Sequence, residues 1–481
     1  MSRLIAKGVA IETSSLDPDI TGLTADSRAV HPGTLFAALA GSRTDGARFI
    51  ADAIERGASA ILLGNEARPE IPAGVAVVRA SEPRRALALM AARMYAPQPA
   101  TVVAITGTNG KTSIAEFVRQ IFAACGRSAA SLGTIGIVKP DGAIYGSLTT
   151  PDPVTLHRTL AGLAAEGVTH LALEASSHGL DQFRLDGVRL AAGAFNNLGR
   201  DHLDYHPTME AYLAAKLRLW QLLEPGQPAV VNADGQAGAE AVAAGRARGL
   251  RVVTTGRTGD MLRLVDVAQV GFGQRLRIAH GSVEWTVDVP LIGAYQAGNA
   301  LVAAALAIEC GERLEPVIRS LVSLQGVKGR LEVVAETRGG IAVVDYAHKP
   351  EALEAALAAL RPFATGKLVC IVGCGGDRDR GKRPIMGRIA AAGADVAIIT
   401  DDNPRSEAPA LIRAEMLADA RGALEIGDRA EAIRAGVRML GPGDVLLVAG
   451  KGHETGQIVG DAVLPFSDHE EILQAAKELE A

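Results

Sequence analysis

The feature that most constrains the fold is one stretch in which an apolar run leads through glycines into a helical pattern. Residues 102–105 form an apolar run rich in β-branched residues, residues 106–113 read Thr-Gly-Thr-Asn-Gly-Lys-Thr-Ser, and residues 114–124 have the periodicity of an amphipathic helix. Backbone N–H groups of such a turn, the positive end of the following helix and a lysine ammonium bind phosphate together. The stretch therefore predicts a nucleotide-binding strand–loop–helix unit, with a plain glycine-rich turn as the alternative.

Length and composition exclude several classes of protein. With 481 residues the chain is too long for one core, and we expect about two to four domains. A hydrophobic fraction of 48%, a charged fraction of 21% and a net charge of -5 are typical of a globular protein and suggest no nucleic-acid partner. No apolar run approaches ~18 residues and the N-terminus lacks a signal-peptide pattern, so we expect no membrane insertion and a cytoplasmic location.

Patterns along the chain separate three regions. Residues 1 to about 97 mix short apolar runs with helical stretches and end in a proline-bearing linker at 95–99. From 101 to about 330, and again from 331 onward, strand-like apolar runs alternate with alanine-rich helical patterns. This alternation is typical of parallel sheets with crossover helices. The chain is therefore predicted to be an α/β protein with boundaries near 97 and 331.

The cysteines are too few and too scattered for a disulfide framework in a chain of this length. They are Cys125, Cys310, Cys370 and Cys374. The last two are close enough to suggest a metal site, but Cys370 lies inside the apolar run 368–372, so we favour buried thiols.

Chemistry-bearing residues follow two further strand-like runs. Glu174 ends one apolar run, and the carboxyl ends of strands line the ligand crevice of open α/β sheets. Glu174 is therefore interpreted as a Mg²⁺ ligand, with a solvated carboxylate at the end of a strand as the alternative. Residues 196–206 are rich in Asn, Asp and His without the spacing of a transition-metal site, which favours a supporting role beside a Mg²⁺–nucleotide site.

Lys216 lies in an otherwise apolar helical stretch, residues 212–217. A lysine in such a place usually extends its ammonium to solvent. Burial would instead lower its pKa and make the amine a nucleophile, even toward CO₂. Both interpretations are open from sequence.

Six motifs occur in the order found in Mur ligases, and on them the chain resembles that family over essentially its whole length. They are Thr-Gly-Thr-Asn-Gly-Lys-Thr at 106–112, Glu-Ala-Ser-Ser-His at 174–178, Asn-x-x-Arg-Asp-His-Leu-Asp-Tyr-His at 197–206, Gly-Arg-Leu-Glu at 329–332, Asp-Tyr-Ala-His at 345–348 and Asp-Asn-Pro-Arg at 402–405. The resemblance implies a UDP-sugar domain at 1–97, a central P-loop ATPase domain at 98–331 and a Rossmann-like, amino-acid-binding C-terminal domain at 332–481.

The resemblance also implies an ATP-dependent amide ligation in peptidoglycan precursor synthesis. The D-glutamate γ-carboxylate of UDP-MurNAc-L-Ala-D-Glu would be phosphorylated by ATP, and the acyl phosphate would be opened by the amine of meso-diaminopimelate. Phosphorylation supplies the leaving group that a carboxylate lacks, so the enzyme has to neutralise charge and align the reactants. The implied partners are these small molecules, and we expect a monomer.

By resemblance, the catalytic set is Lys111 on the β- and γ-phosphates, Glu174 and His202 near the metal, and Lys216 at the family's carbamylated lysine. Thr112 would complete the Mg²⁺ ligands, and CO₂ would enter as the lysine carbamate. The implied binding residues are, for ATP, Gly107, Thr108, Asn109, Gly110, Lys111, Thr112, Ser113, Asn299, Arg330, Asp345 and His348; for the UDP-linked substrate, Ala25, Ser27, Ser42, Arg43, Thr44, Thr149, Thr150, Ser176, Gln182 and Arg184; and for diaminopimelate, Arg378, Asp402, Asn403, Pro404, Arg405, Gly450 and Glu454.

Arg405 carries the substrate argument. Diaminopimelate differs from lysine by a second carboxylate, and the planar arginine fork binds a carboxylate through two parallel hydrogen bonds. The alternative is a turn at Asn-Pro with a solvated arginine.

The chain departs from the family pattern at two positions. Gln296 replaces a family asparagine at the adenine site, so Asn299 is the residue carried over there, and Lys349 follows His348 where threonine is frequent. For His348 itself, the alternative to nucleotide binding is a structural histidine.

Three rival functions fit these residues less well. An NAD-dependent oxidoreductase would use the glycines at 373–376, but Arg378 occupies the third glycine position of its fingerprint. A nucleotide-binding switch protein would not need an arginine-bearing pocket in a second α/β domain. A folylpolyglutamate synthase uses the same kind of ATP-dependent ligation, but the Asp-Asn-Pro-Arg motif and the separate N-terminal domain disfavour that function.

Overall fold

The computed structural model describes residues 1–5, 11–41, 44–144, 149–202, 205–271 and 273–480. Ser42 and Arg43, which were predicted to bind the UDP-linked substrate, lie outside the described residues. The chain divides into two compact units, one formed by Met1–Arg263 with Leu301–Ile318 and the other by Leu264–Ala300 with Arg319–Ala481.

The first unit begins with a small sheet in the order β1-β5-β4-β3-β2, parallel except for β1. Apolar side chains cover both of its faces, which explains the short continuous apolar runs in this part of the sequence. Its elements are β1 (Ile11–Thr13), β2 (Gly22–Thr24), β3 (Thr34–Ala37), α1 (Ile50–Glu55), β4 (Ala60–Gly64), β5 (Ala76–Ala80) and α2 (Pro83–Met94).

The same unit continues into a larger sheet in which β13, β12, β11, β6, β10 and β7 lie side by side and parallel. Antiparallel β8 and β9 extend it beyond β7. Its elements are β6 (Thr101–Thr106), α3 (Lys111–Ala124), β7 (Ala129–Gly133), β8 (Gly136–Lys139), β9 (Gly142–Ile144), α4 (Pro153–Ala165), β10 (His170–Glu174), α5 (Ser177–Asp181), β11 (Ala192–Phe195), α6 (Met209–Leu217), β12 (Pro228–Asn232), α7 (Gly238–Ala247) and β13 (Arg251–Gly256).

The register of this sheet positions the chemistry. Glu174 is paired with Ile105, and Phe195 is paired with Thr106, so β10, β6 and β11 end at one edge. Parallel strands with both faces covered are built from continuous apolar runs, and residues 102–105 are fully buried. The phosphate loop, Glu174 and the segment that starts at Asn196 therefore leave the sheet together.

The chain then passes into the second unit through β14 (Leu262–Val270), whose first residues pair with β13. The strands that follow are β15 (Gly273–His280) and β16 (Val283–Val289), which pair antiparallel. Helices α8 (Tyr295–Glu309) and α9 (Leu314–Ser320) each contain a boundary between the two units.

The second unit contains a sheet in the order β17-β18-β22-β19-β20-β21, parallel except for β17, with apolar clusters on both faces. The hairpin β23–β24 follows. The elements are β17 (Glu332–Thr337), β18 (Gly340–Asp345), α10 (Pro350–Leu360), β19 (Leu368–Val372), α11 (Lys382–Gly393), β20 (Val396–Ile399), α12 (Pro409–Leu417), β21 (Leu424–Glu425), α13 (Arg429–Arg438), β22 (Val445–Ala449), β23 (Gly456–Val459), β24 (Ala462–Pro465) and α14 (Asp468–Glu480).

The predicted α/β class with mostly parallel sheets is confirmed. The cysteines are free, and Cys370 and Cys374 are buried thiols, as expected from their apolar surroundings. Over the described ranges, no helix combines the length and apolar character needed to cross a membrane.

Candidate active site

The phosphate loop predicted from sequence joins β6 to α3. Gly107 and Gly110 have φ angles of 154° and 85°, which glycine adopts without strain. A Cβ atom at Gly107 would also approach the Asn196 Cβ to 3.1 Å. The loop therefore needs glycine at Gly107 for its φ and for close packing, and it presents the N-terminus of a helix of 14 residues.

Two asparagines that follow β11 hold this loop in place. The Asn197 side-chain oxygen accepts from the Thr108 and Asn109 N–H groups at 3.1 and 2.9 Å. The Asn196 amide donates to the Asn109 carbonyl at 3.0 Å. Both asparagines lie in the segment 196–206 that was predicted to support a nucleotide site, although neither was assigned an individual role.

Two lysines converge on one carbonyl of the loop. Lys111 Nζ and Lys216 Nζ donate to the Gly107 carbonyl oxygen at 2.9 and 2.8 Å. Lys216 is only 1% exposed, so the solvent-extended alternative for it is wrong. Burial, reinforced by the Lys111 charge, lowers the pKa of Lys216 from 10.5 to about 6, and the free amine prevails at neutral pH.

Tyr212, one helical turn before Lys216, connects this lysine to the loop. Its ring lies 4.3 Å from Lys216 Nζ, and its hydroxyl lies 3.2 Å from Thr108 Oγ1. The rings of His206 and His202 pack at 5.1 and 6.1 Å from the tyrosine ring. Burial raises the pKa of Tyr212 to about 12, so the phenol stays protonated. Sequence analysis missed Tyr212.

Glu174 is buried at the end of β10, so the solvated-carboxylate alternative is wrong. Its Oε1 accepts from the Thr134 N–H at 2.8 Å, and its Oε2 accepts from the Thr134 hydroxyl at 3.2 Å. A Cβ atom at Gly133 would overlap this carboxylate. The side chain is thus held close against the chain that follows β7.

The structure brings together the central-region residues predicted for the UDP-linked substrate. Thr150 Oγ1 donates to the Glu174 carbonyl at 2.9 Å and accepts from the Ser176 hydroxyl at 3.0 Å. Arg184 donates to the Thr150 carbonyl at 2.7 Å and to the Gln182 side-chain oxygen at 2.8 Å. Burial lowers the pKa of Arg184. Thr149 Oγ1 lies 2.9 Å from Thr134 Oγ1, so this network is continuous with Glu174.

The remaining N-terminal candidates lie in loops and a short turn. Ala25 and Thr44 are exposed, whereas Ser27 is 8% exposed at the start of the 3₁₀ turn Ser27–Ala29.

In the second unit, Arg330 and His348 pack against one aromatic ring. The Arg330 guanidinium lies 4.7 Å from the Tyr346 ring, and the Tyr346–His348 and Tyr346–His453 ring distances are 4.7 and 5.2 Å. Burial lowers the pKa of His348 to about 4, so the imidazole is neutral. His453 was not predicted.

Asp345 and Asn299 make hydrogen bonds to residues of the second unit. Asp345 accepts from the Leu331 and Ala347 N–H groups, both at 2.8 Å, and burial raises its pKa. Asn299, on α8, donates to the Gln296 side-chain oxygen at 2.9 Å.

The residues predicted for diaminopimelate lie on three neighbouring loops of the second unit. Arg405 Nη1 donates to the Gly376 carbonyl at 2.9 Å, which ties the loop after β20 to the loop bearing exposed Arg378. Asn403 donates to Glu454 Oε2 at 3.0 Å. Gly450 has a φ angle of 119°, and a Cβ atom there would approach Asp402 Oδ2 to 2.8 Å. Pro404 is buried between these residues.

The donor atoms near the phosphate loop suit a hard cation. Thr112 contributes a hydroxyl and Glu174 a carboxylate, and a carbamate on Lys216 would add two oxygens. Within the described part of the chain, no three His, Cys, Asp or Glu side chains are clustered so as to hold a metal ion by themselves. A site for Mg²⁺ here would therefore use the hydroxyl, the carbamate and nucleotide oxygens as well.

Comparison with known proteins assigns the class. Three family models match in order: the Mur ligase family catalytic domain at 19–95, the Mur ligase middle domain at 105–307 and the Mur ligase glutamate ligase domain at 329–452. The chain therefore belongs to the Mur ligase family.

Individual relatives are more specific. The UDP-N-acetylmuramoyl-L-alanyl-D-glutamate–2,6-diaminopimelate ligase of Bradyrhizobium diazoefficiens is 58% identical over 479 residues, 98% of each chain. A solved structure of a ligase with the same name is 32% identical with a TM-score of 0.71, covering 96% of each chain. A Thermotoga maritima MurF ligase in complex with ADP shares the fold, at 21% identity and a TM-score of 0.63, over 95% of this chain and 97% of that one.

The lowered pKa of Lys216 predicts a pH-dependent contribution to stability. Between about pH 6 and 10.5 the unfolded chain holds a proton that the folded protein does not, so raising the pH through this window stabilises the folded state. We expect the free energy of unfolding of the wild type, relative to Lys216→Met, to rise from about pH 6 to about pH 9 and to level off below pH 6.

Urea denaturation in buffers depleted of CO₂ measures this difference. Lys477→Met, which removes an exposed lysine on α14, is the control and should give a difference with a flat pH dependence. A flat dependence for Lys216→Met as well would contradict a deprotonated buried amine.

Proposed function

We propose that this chain is an ATP-dependent ligase that adds meso-diaminopimelate to UDP-MurNAc-L-Ala-D-Glu. The observation that carries the proposal is the buried amine of Lys216 on the same loop carbonyl as Lys111. A plain nucleotide-binding loop has no use for a second, neutral lysine. The name shared by the 58% identical relative and the 32% identical structure supports the substrate pair.

The phosphate loop would bind the ATP phosphates. Lys111 and the N–H groups at the start of α3 provide positive charge for the β- and γ-phosphates, and Thr112 with Glu174, His202 and a carbamylated Lys216 would hold Mg²⁺. Bound Mg²⁺ would neutralise charge on the transferred phosphoryl group. Asn299, Arg330, Asp345 and His348 are proposed to contact the nucleoside, and the ADP bound by the MurF relative supports nucleotide binding by this fold.

The chemistry divides into two displacements. The substrate γ-carboxylate oxygen forms a bond to the ATP γ-phosphorus while the bond to ADP breaks, which gives an acyl phosphate. The neutral diaminopimelate amine then attacks the acyl carbon, phosphate leaves, and the nitrogen loses a proton to phosphate or solvent. Both steps concentrate negative charge at the phosphoryl group, which is the charge that Lys111 and bound Mg²⁺ would offset.

The UDP-linked substrate is proposed to contact the network of Thr149, Thr150, Ser176, Gln182 and Arg184. Arg184 is partly buried among carbonyl oxygens, which suits it to a substrate carboxylate. Ala25, Ser27, Ser42, Arg43 and Thr44 are proposed to bind the UDP end.

We also propose domain boundaries near 97 and 331. The three family models support them, since they match residues 19–95, 105–307 and 329–452.

Arg405 is proposed to recognise the second carboxylate of diaminopimelate, together with Arg378. Gly450 and Glu454 would bind the adjacent ammonium group, next to Asp402, Asn403 and Pro404. Arg405 Nη1 is occupied by carbonyl oxygens, whereas its Nε and Nη2 have no hydrogen-bond partner among the residues the structure describes.

We further propose that the enzyme acts as a monomer in the cytoplasm, where ATP and UDP-sugars are available. Its product would serve peptidoglycan synthesis, and hence cell shape and division.

The reaction itself is the first test. Purified protein with UDP-MurNAc-L-Ala-D-Glu, ATP and Mg²⁺ should release phosphate and form the tripeptide when meso-diaminopimelate is added. Phosphate release and product mass are measured in parallel, with lysine in place of diaminopimelate as the matched substrate. Absence of diaminopimelate-dependent release would overturn the function, whereas equal use of lysine would overturn only the role of Arg405.

Arg405→Ala should raise the KM for diaminopimelate by about 10- to 100-fold, because a charged hydrogen-bonding partner of the carboxylate is lost. The KM for ATP should stay within about twofold. Arg421→Ala, which removes an exposed arginine of the same unit, is the control. An unchanged KM for diaminopimelate would mean that the Asp-Asn-Pro-Arg loop is only a turn.

Lys216→Ala should lower kcat by at least about 100-fold if the carbamate is needed. Formate or acetate, which supply the missing carboxylate-like oxygens, should restore part of the activity. Chloride at equal ionic strength controls for salt effects. Failure of every short carboxylate to restore activity would count against carbamylation.

A further inference from the structure

Lys451 is a fully buried lysine beside the proposed amino-acid pocket, and neither the sequence argument nor the proposed reaction uses it. Its side chain is 0% exposed. Nζ lies 3.0 Å from Asn403 Oδ1, 3.2 Å from Glu454 Oε2 and 3.9 Å from Asp402 Oδ1. A buried ammonium is costly unless it is paired and hydrogen-bonded, so these contacts explain its presence.

The ammonium determines which way the Asn403 amide points. Asn403 Oδ1 accepts from Lys451 Nζ at 3.0 Å and from the Ile458 N–H at 2.9 Å. A flipped amide would set its NH₂ group against two donors. Nδ2 is therefore left as the donor to Glu454 Oε2, at 3.0 Å.

The same ammonium fixes the Glu454 carboxylate. Oε2 accepts from both Asn403 and Lys451, whereas Oε1 has no hydrogen-bond partner within the ranges the structure describes. The Glu454 side chain is 33% exposed. One oxygen is thus held by the protein, and the other remains available to an ammonium group arriving from solvent.

The charges favour a cation at this place. Asp402 and Glu454 carry two negative charges, and Lys451 offsets one of them, because the nearby Arg429 is paired with Asp468. A second ammonium would balance the cluster.

We propose that Lys451 is a positioning residue for the distal ammonium of the incoming amino acid, acting through Asn403 and Glu454. This inference rests on the proposed function. Lys451 orients the amide and holds the Glu454 carboxylate in one rotamer, so that Oε1 meets the substrate ammonium while Arg405 meets the neighbouring carboxylate. Lys451 itself does not touch the substrate.

The test is the KM of each substrate in Lys451→Met, a variant of similar shape without the charge. The KM for diaminopimelate should rise by about 10- to 100-fold, because the charged hydrogen bonds that hold Asn403 and Glu454 in position are lost. The KM values for ATP and UDP-MurNAc-L-Ala-D-Glu should stay within about twofold, and kcat at saturation should change little. Lys477→Met, on the exposed face of α14, should match the wild type.

A second pair of variants separates positioning from general support of the fold. Glu454→Gln and the double variant Lys451→Met with Glu454→Gln should have similar KM values for diaminopimelate, because Lys451 acts through Glu454. The double variant removes the Lys451 and Glu454 charges together, so it keeps the test decisive if Lys451→Met folds poorly. The proposal would be overturned if the two single-variant effects on the KM for diaminopimelate multiplied in the double variant. It would also be overturned by an unchanged KM for diaminopimelate in Lys451→Met, or by an equal rise in the KM values of all three substrates in that variant.

Failure of this inference is distinguishable from failure of the proposed function. If the wild type shows no diaminopimelate-dependent phosphate release, the proposed function is wrong and the inference falls with it. If the wild type is active but Lys451→Met keeps its KM for diaminopimelate, only the positioning role is wrong.

Discussion

The shared carbonyl of Gly107 is the contact on which the first unit's chemistry depends. One acceptor receives hydrogen bonds from Lys111 and Lys216, which brings two potential cations together in a buried place. Burial, with a smaller contribution from the Lys111 charge, lowers the pKa of Lys216, and the neutral amine is the form that reacts with CO₂ to give a carbamate. The Gly107 backbone, the asparagines after β11 and the Tyr212 ring are all arranged around this contact.

Much of this arrangement follows from local sequence. The apolar run at 102–105, the glycines at 107 and 110 and the helical pattern after Lys111 predicted the loop, and the placement of Glu174 after a second run predicted its proximity to that loop. These arguments succeed because strand ends of a parallel sheet share an edge. Lys216 was open from sequence, since its burial depends on α6 packing against that edge rather than on its own neighbours in the chain. Tyr212 was missed for the same reason, because its hydroxyl contacts Thr108, which lies far away in sequence. The segment that contains Asn197 was predicted to support the nucleotide site, but its hydrogen bonds to the phosphate loop were not.

The second unit is organised by backbone contacts between loops. A Cβ atom at Gly376 would overlap the Pro404 carbonyl, and the Asp402 carboxylate leaves no room for a side chain at Gly450. These close approaches bring the loops after β19, β20 and β22 together. The Asp-Asn-Pro-Arg motif identified one of the three loops and the nearby glycines marked the others, but spacing alone could not reveal that a lysine beneath them is fully buried.

The amide of Asn403 also bears on how such a pocket can change over evolutionary time. Its oxygen accepts from Lys451 and its nitrogen donates to Glu454, so replacing any one of the three removes a hydrogen bond from the other two. The hydrogen bonds that the Arg405 guanidinium donates to described residues go to main-chain carbonyls, which every residue type supplies. A lineage that acquires a different third amino acid would therefore be expected to substitute residue 405 first and to retain Asn403, Lys451 and Glu454 as inherited framework.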